Sequence, residues 1–172
     1  MWLFIISEVM LFGAFFTAYF FIRVVAGGDW FPINDTELPK LIAGVNTAIL
    51  VSSSFTMHWA LEGARNENRN AMRVGLLTTA LLGFTFLTIQ VNEYVHIGFS
   101  PQDHAQGTIF YGLTGLHGAH VFVGLTLLLF ATIRAFRGHF TAKEHRGVDI
   151  PGIYWHFVDV MWLVVYTTVY IL

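Results

Sequence analysis

The sequence predicts an all-α fold: a five-helix transmembrane bundle with its N-terminus inside and its C-terminus outside. Three observations carry that reading. Hydrophobic residues make up 55% of the 172 and charged residues only 12%, a balance suited to lipid, because a soluble fold spends charge on its surface. The apolar residues fall into five runs, each close to the ~20 residues that cross a bilayer as a helix. The few charges gather between those runs, and the cations concentrate in alternate connections.

The first run covers about 2–25. It is read as a true span and not a secretion signal, since it has no basic leader and no small-residue cleavage site. Gly27-Gly28-Asp29, Pro32 and Asp35 end it with turn chemistry and acid. The second span, about 41–61, is the most polar, with Asn46, Thr47, Ser52, Ser53, Ser54, Thr56 and His58. Much of its surface is therefore expected against other helices, where hydroxyls and amides find partners. The third covers about 74–95. A loop with Pro101 and Asp103 leads to the fourth, about 108–133, and a polar segment ending at Pro151 precedes the fifth, about 153–172. The whole of 1–172 reads as a single membrane domain without repeats.

Orientation follows from the cations. Arg65, Arg69 and Arg73 lie between spans two and three, and Arg134, Arg137, Lys143 and Arg146 between four and five; only Arg23 and Lys40 lie on the other side. The arginine-rich connections are read as the inner ones. A net charge of −2 and short basic blocks give no footing for nucleic acid. With no cysteine, disulfides, thiolate metal sites and thiol catalysis all drop out.

Ionisable side chains inside spans cost several kcal/mol in lipid, so they face the bundle and are the first functional candidates. Glu8 stands in Ser7-Glu8-Val9-Met10, and His58 and Glu62 share a face of span two at i,i+4. His117 and His120 are spaced i,i+3 in Thr114-Gly115-Leu116-His117-Gly118-Ala119-His120, and His156 and Asp159 repeat that spacing on span five. Together the two pairs suggest four metal ligands. Counting ~1.5 Å per residue from the span ends, however, puts His156 and Asp159 about 5–10 Å from the inner boundary and His117 and His120 about 20–24 Å from it. Ligands about 2 Å from one ion cannot be so separated, so no metal is assigned. The same counting gathers Glu8, His58, Glu62, His156 and Asp159 into one polar cluster near the inner surface. Such a cluster can tie helices together, hold a lipid headgroup or exchange protons. Glu93 and His96, at the outer end of span three, read as interfacial.

Several segments resemble cytochrome c oxidase subunit III. They are Ser7-Glu8 with the aromatic run from Phe12 to Phe21, Asn46-Thr47 through His58 and Glu62-Gly63, and Gln90 with Glu93-Tyr94. The two strongest are the His117/His120 segment and Tyr154-Trp155-His156-Phe157-Val158-Asp159-Val160-Met161-Trp162. The resemblance covers essentially the whole chain. It implies an accessory subunit that binds no cofactor of its own, docked against the oxidase's catalytic subunit I beside subunit II and a small subunit; haem and copper reside in those partners. It further implies a V-shaped cleft that holds phospholipid, carbodiimide modification at the glutamate matching Glu8, support of proton uptake, and a phosphate contact from Arg134. His117, His120 and Glu93 are then structural, and His58, Glu62, His156 and Asp159 lipid-binding or structural. Longer family members carry two further helices ahead of the one matching Glu8, as some bacterial members do not. That difference places the chain in a bacterial plasma membrane ahead of the mitochondrial inner membrane, unless the sequence is a portion of a longer one. Met57 and Glu144 stand where the family commonly has histidine.

Other classes fit less well. A membrane metalloenzyme or b-type cytochrome is favoured by the eight histidines but opposed by the depth mismatch. A proton-coupled carrier is motivated by Glu8 and Asp159, although no expected span is interrupted by proline. Within the family, a quinol oxidase or nitric-oxide-reductase-associated homologue has similar form.

Overall fold

The structure, a computed structural model, describes residues 2–26, 40–102, 104–138 and 146–172. The turn expected at Gly27-Gly28-Asp29, Pro32 and Asp35 lies outside them, as do Asp103, Lys143 and Glu144. Five helices appear in order: α1 (Trp2–Ala26), α2 (Lys40–Arg65), α3 (Arg69–His96), α4 (Ala105–Phe136) and α5 (Arg146–Tyr166), the last continued by a π turn over Thr167–Ile171. Each is long and apolar enough to cross a membrane. In hydrocarbon every backbone N–H and C=O must be paired within the segment, and a long helix achieves this without help from the rest of the chain.

α2 and α3 form an antiparallel pair through a tight turn. Glu67 takes the left-handed conformation (φ 57°), and the Asn68 side chain caps α3 by accepting from the Ala71 N–H at 3.1 Å. Glycine brings the two backbones together. A Cβ at Gly75 would stand 2.7 Å from Ala60 Cβ, and one at Gly63 2.6 Å from the Met72 nitrogen, so no larger residue fits this crossing.

α2 packs on α3, α3 on α4, α4 on α5, and α5 back on α2, so these four close a ring. Trp155 and Trp162 fill its interior and are fully buried. The Trp155 ring lies against Gly83 of α3 and Gly124 of α4, where an added Cβ would come within 2.4 and 2.9 Å of it. Its indole N–H donates to Ser53 Oγ at 2.9 Å, and that of Trp162 donates to Thr47 Oγ1 at 2.9 Å. Asn46 Nδ2 donates to the Phe86 carbonyl at 3.2 Å. Asn46, Thr47 and Ser53 of span two thus face their neighbours, as expected, whereas Ser52 and His58 are exposed.

α1 stands outside the ring, against α4. Of its described side chains, only Phe12 and Tyr19 are buried. Tyr19 donates to the Thr168 carbonyl at 2.8 Å and Arg23 reaches the Leu172 carbonyl, which ties the end of α1 to the end of α5.

The helices run three to seven residues past several expected boundaries, and the largest departure is at the start of α5. α5 begins at Arg146 and contains Pro151, whereas the sequence pattern placed that proline ahead of the helix. Proline removes a single i→i−4 bond there, in the second turn. Tertiary contacts hold the turn in place: Gly152 packs on Met57 and Leu61 of α2, and Arg65 pairs with Asp149 at 3.5 Å.

Candidate functional site

Among the described residues, two acid–histidine groupings sit inside the bundle, on opposite sides of α5. The first joins α1 to α4. His120 Nε2 lies 2.8 Å from Glu8 Oε2, and the two side chains keep only 13% and 15% exposure. His120 Nδ1 lies 2.7 Å from the Leu116 carbonyl; a carbonyl only accepts, so Nδ1 carries a hydrogen. Two forms of the contact remain, carboxylic acid to neutral imidazole or carboxylate to imidazolium. Both hold one proton between the residues and both are neutral overall, which is what makes the pair tolerable in lipid. The Phe12 ring, 5.3 Å from that of His120, covers one side, and the Tyr154 hydroxyl donates to the His120 carbonyl at 3.2 Å.

The second lies in the seam between α2 and α5. Ser54 Oγ is within 3.3 Å of His156 Nδ1 and forms a close hydrogen bond to Asp159 Oδ2. Asp159 is 4% exposed, and its other oxygen has no hydrogen-bond partner among the described residues. His156 is half-buried and His58, its electrostatic neighbour, is exposed. Glu62 is exposed one turn further on, and Arg65 with Asp149 closes that end of the seam.

These positions correct the counting from span ends. Glu8 does not join His58, Glu62, His156 and Asp159; it lies against His120, midway along α4. Nor does depth separate the histidine pairs. The His117 and Trp162 rings are 4.8 Å apart and Tyr154 reaches the His120 carbonyl, so both pairs lie at one level. Direction separates them, since His120 faces α1 and His156 faces α2. The error arose because α5 starts seven residues before the expected boundary, which sinks His156 and Asp159 about 10 Å deeper.

His117 is fully buried, edge-on to Phe86 at 5.9 Å, and neither ring nitrogen has a hydrogen-bond partner among the described residues. Glu93, in the last turn of α3, is 6% exposed and accepts from the Tyr170 hydroxyl at 2.7 Å. Arg134 is exposed on the last turn of α4. Sequence reasoning used Arg73 only as an orientation charge; its guanidinium donates to the Ala135 and Phe136 carbonyls at 3.1 and 3.3 Å and lies over the Phe136 ring, capping α4 from α3. It treated Ser54 as one polar residue among several; its spacing of four from His58 was the available signal. No group of three or more histidine or acidic side chains is placed to hold a metal ion among the described residues.

The fold and these sites define a polytopic helical membrane protein that carries paired ionisable groups in its interior. The profile of the cytochrome c oxidase subunit III family matches residues 1–172. Cytochrome c oxidase subunit 3 of Rattus norvegicus is 41% identical over 173 residues, covering 98% of this chain and 66% of the rat protein. The Thermostichus vulcanus protein of the same name is 39% identical over 170 residues, with 98% and 84% covered, and the Homo sapiens one 40% over 173, with 98% and 66%. The chain belongs to the cytochrome c oxidase subunit III family. It spans 66% of the length of its rat and human relatives.

Proposed function

We propose that this chain is an accessory subunit of a respiratory haem-copper oxidase that reduces oxygen with electrons from cytochrome c. On this reading it docks against the catalytic subunit, alongside subunit II and a small subunit, and those partners hold the haem and copper. The observation that carries the proposal is the family match, which runs unbroken over every span. The arginine-rich ends face the inside of a bacterial plasma membrane. There the exposed guanidinium of Arg134 is set to contact a phospholipid phosphate, and His58 and Glu62 add polar contacts at the same surface. The Glu8–His120 pair gives a chemical reason for the carbodiimide reactivity that the resemblance implies. A carbodiimide takes a proton on nitrogen while the carboxyl oxygen adds to its central carbon, and this pair keeps that one proton at the carboxyl's edge.

The test is purification of the intact complex through a tag on this chain, followed by identification of its largest partner and its electron donor. A haem-bearing partner oxidising cytochrome c is expected. Stripping this subunit should leave initial oxygen consumption intact and shorten the catalytic lifetime. Immediate and complete loss of turnover would overturn the accessory role.

A further inference from the structure

We propose that the α2/α5 seam contains a proton-exchange site in which Ser54 passes a proton between His156 and Asp159. This goes beyond a subunit's role in an oxidase and does not depend on which complex the chain joins. Among the described residues, this is the place where one hydroxyl touches both an imidazole and a carboxyl inside the bundle. A serine hydroxyl has one hydrogen and two lone pairs, so the contacts have two complete arrangements. In one, His156 Nδ1–H donates to Ser54 Oγ while the serine O–H donates to the Asp159 carboxylate. In the other, the protonated Asp159 donates to Ser54 Oγ and the serine donates to a bare His156 Nδ1. Conversion moves one proton from imidazole to serine as the serine releases its own to Asp159 Oδ2. An imidazolium and a carboxylate become a neutral imidazole and a carboxylic acid, and no net charge is created in the membrane.

Supply comes from one side. His156 is half-buried beside the exposed His58, seven residues from Arg65 at the end of α2. Asp159 is the closed end, with Oδ1 buried and without a hydrogen-bond partner among the described residues. The other titratable groups reaching α5 are committed or distant. His120 faces Glu8, Glu93 accepts from Tyr170 at the far end, Asp149 pairs with Arg65, and His117 stands against Trp162. The arrangement is not that of a hydrolytic triad, in which histidine stands between serine and acid; here the serine stands between the other two.

The experiment is infrared spectroscopy of the protein purified from its membranes with its co-purifying subunits and reconstituted into phosphatidylcholine vesicles. As pH is lowered, a carboxylic C=O band should grow in the native protein and be missing from Asp159→Asn. Transfer to D2O should shift that band. Ser54→Ala should slow the shift by roughly a hundredfold, the lower end of what a positioned proton-transfer side chain supplies, and Ser54→Thr should restore it to within a few-fold. If Asp159→Asn fails to assemble, the two Ser54 variants decide alone. A band untouched by Asp159→Asn, absence of any exchanging band, or native-rate exchange in Ser54→Ala would overturn the proposal.

Discussion

At one level of the bundle, an acid meets a histidine on each side of α5, and the two meetings differ in a single group. Glu8 and His120 touch directly, whereas Asp159 and His156 are joined through Ser54. Direct contact shares one proton and keeps the pair neutral, with nowhere for that proton to go. An intervening hydroxyl lets it change owners. The sites also differ in what surrounds them. Glu8 sits on α1, which buries only Phe12 and Tyr19 among its described side chains, so its bond to His120 joins those of Tyr19 and Arg23 in positioning that helix. Asp159 sits on α5, held in the ring by two buried tryptophans that donate to Ser53 and Thr47, so its polar contacts are free to rearrange without loosening the helix. The same residue types thus serve attachment in one place and exchange in the other.

The largest effect should come from breaking the direct pair on one side only. His120→Leu leaves a carboxyl in lipid without its partner and should cost about 3 kcal/mol, as for other half-removed buried pairs. Adding Glu8→Leu should return most of that loss. Unfolding of the purified protein in detergent measures both, and a double variant no better than the single would show that the pair does not act as a unit. Next is the claim that packing and not polarity holds α5. Gly83→Ala drives a methyl to within 2.4 Å of the Trp155 ring and should cost about 2 kcal/mol. Gly115→Ala meets nothing within 4 Å and should cost none in the same measurement. The smallest effect on stability belongs to Glu8→Gln. An amide still donates to His120 Nε2, so the loss should be under about 1 kcal/mol, yet carbodiimide labelling of the chain should vanish. Label persisting on Asp159 or Glu62 would move the reactive acid to the other side of α5.

Much of this architecture was legible in the residues. The apolar runs around Phe12, Leu50, Phe86, Leu128 and Trp162 announced five helices, and the polar residues of α2 announced that part of its surface, with Asn46, Thr47 and Ser53, would face other helices. The segments around Glu8, His117 and His156 pointed to the family. Partner assignments were not legible in this way. Counting from span ends grouped Glu8 with His58 and Asp159, which failed because α1 packs on α4, and separated His120 from His156, which failed because Pro151 was taken as a helix boundary. Nothing near Glu93 in the sequence reveals its partner Tyr170.

The sequence by itself determined that the chain is helical, that its five helices are apolar enough for a membrane and which family they belong to. These follow from local causes, because a backbone in hydrocarbon satisfies itself within each segment. Only the tertiary structure decided the vertical offset and rotation of one helix against the next, and so which acid meets which histidine. Those are set where Gly75 receives Ala60 and where Gly83 and Gly124 receive Trp155, contacts between residues far apart in the chain whose fit no local pattern encodes.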